Sequence, residues 1–269
     1  MTRHGLFLPP FDALADPALL ARLAVEAEEA GWDGVFLWDH LLYSDPVQAV
    51  LDPWICLAAI GAATSRLTLG VMVTPLSRRR PVILAKQAVT LDLLTEGRLV
   101  LGFGLGDDGA HELSGFGEEA DPKVRAAMLD EGLEVLRGLL SGEVVTHHGT
   151  HHTVDGLRLL PRPYGDRDIP IWIAGRWPNA APLRRAARHD GAFVISINTV
   201  DDARGLVDAL RRERESLDGY EVVLELPTDA DAPAWADVDG VTWLLTRLGP
   251  YRMDVDDVRA RIAAGPPAT

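Results

Sequence analysis

The sequence has little cysteine, no long apolar run and no excess of positive charge. One cysteine, Cys56, in 269 residues excludes an intrachain disulfide and is typical of a reducing compartment. No run approaches the roughly 18 apolar residues of a membrane helix. The first residues lack the length and the cleavage site of a secretory signal. We therefore expect a cytoplasmic protein.

The charge balance bears on the partners. The formal net charge is −14, whereas binding to a phosphate backbone requires a basic surface. Nucleic acids and anionic membrane surfaces are therefore unlikely partners, and we expect a small-molecule ligand. The hydrophobic share of 47% and the charged share of 25% are ordinary for a globular chain.

Strand and helix patterns alternate along the whole chain, without a linker or low-complexity tract. The sequence predicts one domain over residues 1–269. The predicted strands are 5–9, 34–38, 67–73, 99–105, 169–174, 192–196, 220–226 and 241–246. Alternating βα units force parallel strands, and eight apolar ones favour a (β/α)8 TIM barrel. A doubly wound open sheet is the alternative.

Helix starts and irregular segments refine this prediction. Three helices begin with an aspartate N-cap followed by proline, at Asp16, Asp52 and Asp121. A long loop after strand four, residues 107–121, is typical of a functional lid. Residues 144–163 predict a β-hairpin outside the barrel. After Leu226 a proline-containing segment indicates that the seventh helix is short or missing.

His40 is the first catalytic candidate. The apolar run before Trp38 predicts a strand, so Asp39 and His40 stand at its C-terminal end. Ligands of parallel α/β folds bind at that end. An unperturbed imidazole titrates near pH 6.5 and suits general acid or base catalysis. Strand alternation places Trp38 and His40 on one face and Asp39 on the other. The alternative is a hydrogen-bonded histidine at a loop entrance.

Motifs in a fixed order resemble the luciferase-like monooxygenase superfamily. The matching segments are 29–40, 68–75, 81–98, 101–106, 159–163, 169–175 and 186–191. The resemblance covers most of the chain. It implies a barrel that binds a flavin or the deazaflavin coenzyme F420, and a homodimer formed through barrel helices.

The resemblance also implies site residues. His40 would take a substrate proton, Asp39 would orient it or tune its charge, and Asp107 matches a place where some members carry a catalytic acid. The alternative for Asp107 is a solvated loop carboxylate. Val71 and Met72 match a strand end where members have a bulge with a non-prolyl cis peptide behind the cofactor ring. The alternative there is a plain buried strand.

Further residues are predicted to bind the cofactor. Glycines 102–106, including Gly104 and Gly106, would let the backbone approach a ligand closely. We reject a dinucleotide-binding reading of this glycine pattern, because Asp107 and Asp108 would repel a pyrophosphate. The complete predicted set is Trp38, Val71, Met72, Gly104, Gly106, Ala174, Gly175, Arg176 and Ser196.

Positive groups are the candidates for binding cofactor phosphate. Arg176 follows Gly175 at a predicted helix start and is the leading candidate. Arginines 78–80 form a positive patch that suits a polyanionic cofactor tail, with a solvated loop as the alternative. Arg247, after the last strand, is a third candidate.

A cluster of four histidines is not expected to bind metal. His147, His148, His151 and His152 lie on the predicted hairpin, where adjacent side chains point to opposite faces. We predict no metal site.

The sequence thus favours a coenzyme F420-dependent oxidoreductase that transfers hydride to or from a small organic substrate. One alternative is a monooxygenase that uses reduced FMN. The other is a barrel that binds a cofactor or ligand without turnover, which the shortened seventh unit makes plausible.

Overall fold

Eight parallel strands close into a barrel. The computed structural model describes residues 2–226, 232–251 and 253–267. Its strands are β1 (Arg3–Leu8), β2 (Gly34–Leu37), β3 (Thr68–Pro75), β4 (Leu99–Gly104), β5 (Val144–His148), β6 (Thr153–Arg158), β7 (Ile171–Arg176), β8 (Gly191–Ile195), β9 (Glu221–Leu226) and β10 (Trp243–Arg247). All except β5 and β6 pair in chain order, and β10 closes on β1. The predicted barrel is confirmed, and the open sheet is excluded.

Helices connect the barrel strands. The α-helices of the described residues are α1 (Pro17–Glu29), α2 (Pro53–Ala63), α3 (Pro81–Leu94), α4 (Pro122–Leu140), α5 (Ala180–Ala186), α6 (Val200–Glu213), α7 (Ala232–Ala236) and α8 (Val255–Ala263). Each predicted aspartate N-cap accepts a backbone N–H: Asp16 from Ala18, Asp52 from Ile55 and Asp121 from Lys123 and Val124. The local sequence therefore fixes where α1, α2 and α4 begin.

The seventh βα unit is compact. The helix after β9, α7, has five residues. Residues 227–231, which belong to the segment that suggested a short seventh helix, lie outside the described part of the chain. Within the described ranges, no helix has both the length and the apolar character needed to cross a bilayer.

The barrel strands are buried on both faces. Inward side chains form one cluster, with Phe36, Trp172, Phe193 and Trp243 among its members. The outward side chains pack against the helices in a second, larger cluster. Bulky aromatics fill the lower barrel completely, so a ligand can reach only the mouth at the C-terminal strand ends.

The segment before β4 ties three elements together. The Arg98 guanidinium donates hydrogen bonds to the carbonyl oxygens of Gly61, Thr64 and Leu67, at 2.8–3.0 Å. These carbonyls lie at the end of α2 and in the turn to β3, where helical partners are lacking. Arg98 therefore fixes the approach of α2 to the sheet, which explains a conspicuous part of the 81–98 motif structurally.

The excursion before β7 is an antiparallel pair of β5 and β6. Its turn docks on α4 through Glu131, whose carboxylate accepts the backbone N–H groups of Thr150, His151 and His152 at 2.7–3.1 Å. The His147 Nε2 atom lies 3.2 Å from Glu131 Oε1. Partial burial raises the pKa of Glu131, but the N–H groups of His152 and His151 and the His147 ring outweigh it and bring the pKa to about 2.

We expect Glu131→Gln to lower the urea midpoint of the protein at pH 6. The carboxylate has a folded-state pKa of about 2 against an ordinary 4.5, so its stabilisation is present above pH 4.5 and is lost as the pH falls toward 2. The difference between variant and wild type should shrink over that range. Urea titrations at several pH values, followed by circular dichroism, measure it.

Glu134→Gln is the matched control, because the Glu134 side chain is exposed and its one ion pair among the described residues is with the His147 ring, at 3.6 Å. It should leave the midpoint almost unchanged. Equal effects of the two substitutions, or a Glu131→Gln effect independent of pH, would contradict the assigned role of Glu131.

Candidate functional site

His40 stands two residues beyond Trp38, at the end of β2. Its imidazole is partly accessible, and Nδ1 lies 2.8 Å from Oε1 of Glu112. Glu112 belongs to the long loop between β4 and α4, and its side chain is only 3% exposed. Its other oxygen, Oε2, accepts the backbone N–H of Leu41 at 2.7 Å. The loop thus delivers a buried carboxylate to the catalytic candidate.

Glu112 is held in its ionised form. Burial raises the pKa of Glu112, but the hydrogen bond and charge of His40, the Leu41 N–H and the Arg78 guanidinium outweigh burial and lower the pKa below its ordinary value. An ionised carboxylate can only accept, so His40 donates from Nδ1–H. The described residues form no hydrogen bond to Nε2, which is therefore the atom available for proton exchange at the barrel mouth.

Asp39 points away from His40. Its carboxylate accepts from Arg78 Nη2 at 2.5 Å and from Arg79 Nη2 at 3.0 Å, and its side chain is 1% exposed. Arg78, itself 3% exposed, also donates to Glu112 Oε2 at 3.2 Å. The direct orienting contact suggested for Asp39 is thus made by Glu112 instead. Asp39 is connected to Glu112 through Arg78, whose guanidinium donates to both carboxylates.

Two of the three arginines in the patch at residues 78–80 already form ion pairs with carboxylates. Arg78 bridges Asp39 and Glu112, while Arg79 pairs with Asp39 and contacts Asp52 at 3.4 Å. Within the described residues Arg80 is exposed and forms no ion pair. A polyanionic cofactor tail would therefore meet one uncompensated arginine here, not three.

Aromatic rings surround the imidazole. The ring centroids of Tyr43, Phe11 and Trp38 lie 5.0, 6.0 and 6.1 Å from that of His40. The Trp38 indole N–H is buried and has no hydrogen-bond partner among the described residues. Burial raises the pKa of the Tyr43 phenol, and Tyr251 adds to that rise. Three aromatic rings therefore border the partly accessible His40 imidazole, and the Trp38 N–H beside it lacks a partner among the described residues.

The third strand bulges at the mouth. The pairing of β3 with β4 shifts between Val71 and Thr74, and the peptide bond between Met72 and Val73 is cis. The Met72 side chain belongs to the inward cluster, whereas Val71 packs outward against the helices. Of the two predicted residues, only Met72 turns its side chain toward the barrel axis.

Packing against the β3 bulge explains why Gly102 and Gly104 of β4 are glycines. A Cβ at Gly102 would collide with the Val71 carbonyl, and one at Gly104 would lie 2.6 Å from the Val73 side chain. The bulge therefore needs these glycines, whether or not a ligand is bound. Ala174, the inward residue of β7, would lie 3.3 Å from a Cβ at Gly104 and is partly exposed. Small residues thus form a flat floor beside the bulge.

Arg176 and Ser196 meet at the ends of β7 and β8. Arg176 Nη1 donates to Ser196 Oγ at 2.8 Å, and the arginine is exposed. Ser196 adopts a left-handed backbone with φ 63°. Gly175 faces outward, since a Cβ there would lie 3.1 Å from Pro182 of α5. The two polar side chains form one accessible group at the rim of the mouth.

Among the described residues Asp107 forms no hydrogen bond to His40 or Glu112, although its charge helps raise the pKa of the Tyr43 phenol. It is exposed, and its Oδ2 accepts the N–H of Gly109 in its own loop at 3.3 Å. Gly106, just before it, has φ 73°, and a Cβ there would lie 2.9 Å from Pro75. The geometry therefore accords with the solvated loop carboxylate, and it gives Gly106 a role in the turn.

One ion pair inside the barrel, between Arg247 and Glu225, was not predicted from the sequence. Arg247 Nη1 lies 2.8 Å from Glu225 Oε1, across the neighbouring strands β10 and β9. Arg247 was a candidate phosphate ligand, but Glu225 was not singled out. Alternation from Val223 along β9 could have placed Glu225 inside, though not its partner.

Comparison with known proteins identifies the family. The family model described as "Luciferase-like monooxygenase" matches residues 3–264. The chain belongs to the luciferase-like monooxygenase family. An F420-dependent glucose-6-phosphate dehydrogenase of Nakamurella multipartita is 33% identical over 225 residues, which are 80% of this chain and 64% of that protein. The chain thus spans less than two thirds of that relative's length.

Solved structures share the fold. Monooxygenase RslO1 from Streptomyces bottropensis has a TM-score of 0.76 at 22% identity, with 97% of this chain and 96% of that chain covered. An F420-dependent secondary alcohol dehydrogenase, solved with an F420-acetone adduct, has a TM-score of 0.72 at 22% identity, covering 97% and 81%. The same fold therefore exists at nearly this size in RslO1.

A cavity of about 460 Å³ lies elsewhere on this luciferase-like barrel. Arginines 78–80, Glu118 and hairpin residues 151–154 line it, and His40 does not. Its lining contains no Trp, Tyr or Phe on which a tricyclic ring could stack. We place the candidate site at the barrel mouth, because the hydrogen-bonded His40–Glu112 pair is there.

Proposed function

We propose that this chain is a coenzyme F420-dependent oxidoreductase that interconverts an alcohol and a carbonyl compound. The observation that carries the proposal is the His40–Glu112 pair at the end of β2, with Nε2 of His40 left free. A base at this place is what oxidation of an alcohol requires. The named F420-dependent relatives support the choice of cofactor.

The residues of the mouth fit a deazaflavin. Gly104 and Ala174 leave a flat floor beside the bulge, Trp38 offers an unpartnered N–H, and Arg176 with Ser196 offers donors for a phosphate. When bound, coenzyme F420 would supply the two-electron acceptor for a hydride. The predicted contacts of Val71 would be made through its backbone, because its side chain faces the helices.

The chain itself would manage the proton. His40 Nε2 would accept the hydroxyl proton of the substrate as its carbon–oxygen double bond forms. The ionised Glu112 would stabilise the resulting imidazolium through Nδ1–H and keep the ring oriented. Tyr43, Phe11 and Trp38 would exclude water from the reacting atoms. In the reverse direction His40 would return the proton to the carbonyl oxygen.

Cofactor binding tests the proposal first. We expect the purified protein to bind oxidised coenzyme F420 more tightly than FMN, as followed by cofactor fluorescence. Arg176→Ala should weaken F420 binding roughly 10- to 100-fold, because it removes a charge-assisted contact to the phosphate. Arg212→Ala is the control, since Arg212 is exposed on α6 and has no ion pair among the described residues.

Other outcomes would replace the proposal. A preference for FMN would favour a monooxygenase that uses the reduced flavin. Binding of neither cofactor would favour a barrel that binds another ligand without turnover. We also predict a homodimer and a cytoplasmic location. Sedimentation of the purified protein measures its oligomeric state.

A further inference from the structure

Two Arg–Glu pairs point into the barrel, one at each end of β9. At the lower end Glu221 pairs with Arg3 of β1, at 2.5 Å. At the mouth Glu225 pairs with Arg247 of β10, at 2.8 Å. The inward face of β9 continues through Val223, a member of the inward cluster. Only the second pair therefore lies at the mouth, on the same side of the barrel as His40.

The mouth pair lies on the wall that leads to His40. Arg247 is the register partner of Phe7 on β1, and the Phe7 ring lies 5.2 Å from that of Trp38. The charge of Arg247 also acts on the Tyr43 phenol, where it opposes the effect of burial on the pKa. A substrate that reached His40 Nε2 would thus extend along this wall.

Glu225 holds Arg247 firmly. The glutamate side chain is 19% exposed and the arginine side chain 43%. Burial raises the pKa of Glu225, and Arg247 offsets part of that rise. An anionic substrate that accepted from the remaining N–H groups of Arg247 would lie beside the Glu225 carboxylate, whose negative charge repels it and offsets the attraction of the guanidinium. An uncharged oxygen can instead accept from the remaining N–H groups of Arg247 without breaking the pair.

We propose that the Glu225–Arg247 pair is a specificity determinant that selects uncharged hydroxyl- or carbonyl-bearing substrates over phosphorylated or carboxylated ones. The inference rests on the proposed function and names its substrate class. The neutralised guanidinium supplies orientation through hydrogen bonds and no net attraction for anions. The pair therefore separates this chain from a barrel whose mouth arginine is free to bind a phosphate.

The test removes the negative charge that pairs with Arg247. Glu225→Gln keeps the shape of the side chain and removes its charge, so Arg247 can bind an anion. We expect glucose 6-phosphate, used as an anionic probe, to bind at least about tenfold more tightly to this variant than to wild type. Binding of glucose, its neutral counterpart, should change little. Calorimetry without any cofactor gives both dissociation constants.

Glu221→Gln is the matched control, because it removes the same charge from the same strand at the far end of the barrel. It should leave glucose 6-phosphate binding unchanged. Glu225→Gln combined with Arg247→Gln should abolish the gain, and thermal unfolding verifies that each variant is folded. An equal gain in Glu221→Gln, no gain in Glu225→Gln, or tighter binding of glucose 6-phosphate than of glucose by wild type would overturn the proposal.

The cofactor-free design separates this inference from the proposed function. A gain in Glu225→Gln together with failure to bind coenzyme F420 would leave the selectivity intact and remove the deazaflavin chemistry. Tight binding of coenzyme F420, without tighter binding of glucose 6-phosphate by Glu225→Gln, would support the deazaflavin chemistry and contradict the selectivity. In an active enzyme the ratio of kcat/KM for an alcohol and for the corresponding hydroxy acid should shift toward the acid in Glu225→Gln.

Discussion

Replacing His40 by Gln should lower kcat for alcohol oxidation by about 100- to 10,000-fold. The amide can still accept a hydrogen bond from the substrate hydroxyl, but it cannot take the proton. The dissociation constant for coenzyme F420 should stay within a few-fold, because the fold and the Arg176 group remain. Steady-state kinetics and a fluorescence titration of the same preparation measure the two quantities.

Two companion variants sharpen this test. Glu112→Gln should lower kcat, but less than His40→Gln does, because the imidazolium loses the negative charge that stabilises it. Asp107→Asn should change kcat less than about threefold, since Asp107 is exposed and bonded within its own loop. Turnover of His40→Gln within tenfold of wild type would remove His40 from proton transfer. A larger effect of Asp107→Asn would move that role to the loop.

Replacing Arg78 by Met should lower the free energy of unfolding by about 3–5 kcal/mol at pH 7. The substitution leaves Asp39 and Glu112, 1% and 3% exposed, without their shared cation. The loss should shrink as the pH falls below the ordinary 4.5 of a glutamate, because Glu112 has a lowered pKa in the folded state and its stabilisation disappears on protonation. Urea unfolding at pH 7 and at pH 4 measures both effects.

Arg80→Met is the matched control, because Arg80 is the exposed neighbour without an ion pair among the described residues. It should cost less than about 0.5 kcal/mol. Arg78→Lys should fall between the two, since an ammonium keeps the charge but cannot reproduce the fork that reaches both carboxylates. If Arg78→Met and Arg80→Met unfolded at the same urea concentration, the bridging role of Arg78 would be refuted.

The strands were predictable because their signals are local. An apolar run of five to seven residues marks each strand, and an Asp-Pro start marks three of the following helices, α1, α2 and α4, without reference to the rest of the chain. The structure moves the strand ends by at most two residues. One of these changes is at β3, which continues to Pro75 through the bulge after Val71. A bulge depends on the neighbouring strand, here on Gly102 and Gly104, and local patterns cannot show it.

Site residues were predictable only in part. The position of His40 follows from a strand end, so its place at the mouth needed no tertiary information. Glu112 was missed, because one buried carboxylate among 40 acidic residues has no local signature. It lies 72 positions from His40 in sequence. A weak signal existed: residues 107–121 form a long loop after a strand, and Leu113 next to Glu112 could anchor that part of the loop in the core.

The sequence alone favoured the barrel, determined the order of its strands and placed a titratable residue, His40, at a strand end. Each depends on periodicity, caps and contiguous motifs within some 20 residues. Only the tertiary structure decided which charges meet. Barrel closure brings Glu112 to His40, Arg78 to two carboxylates and Arg247 to Glu225. The energy of an ion pair depends on distance and burial, and both are set by packing between elements far apart in the chain.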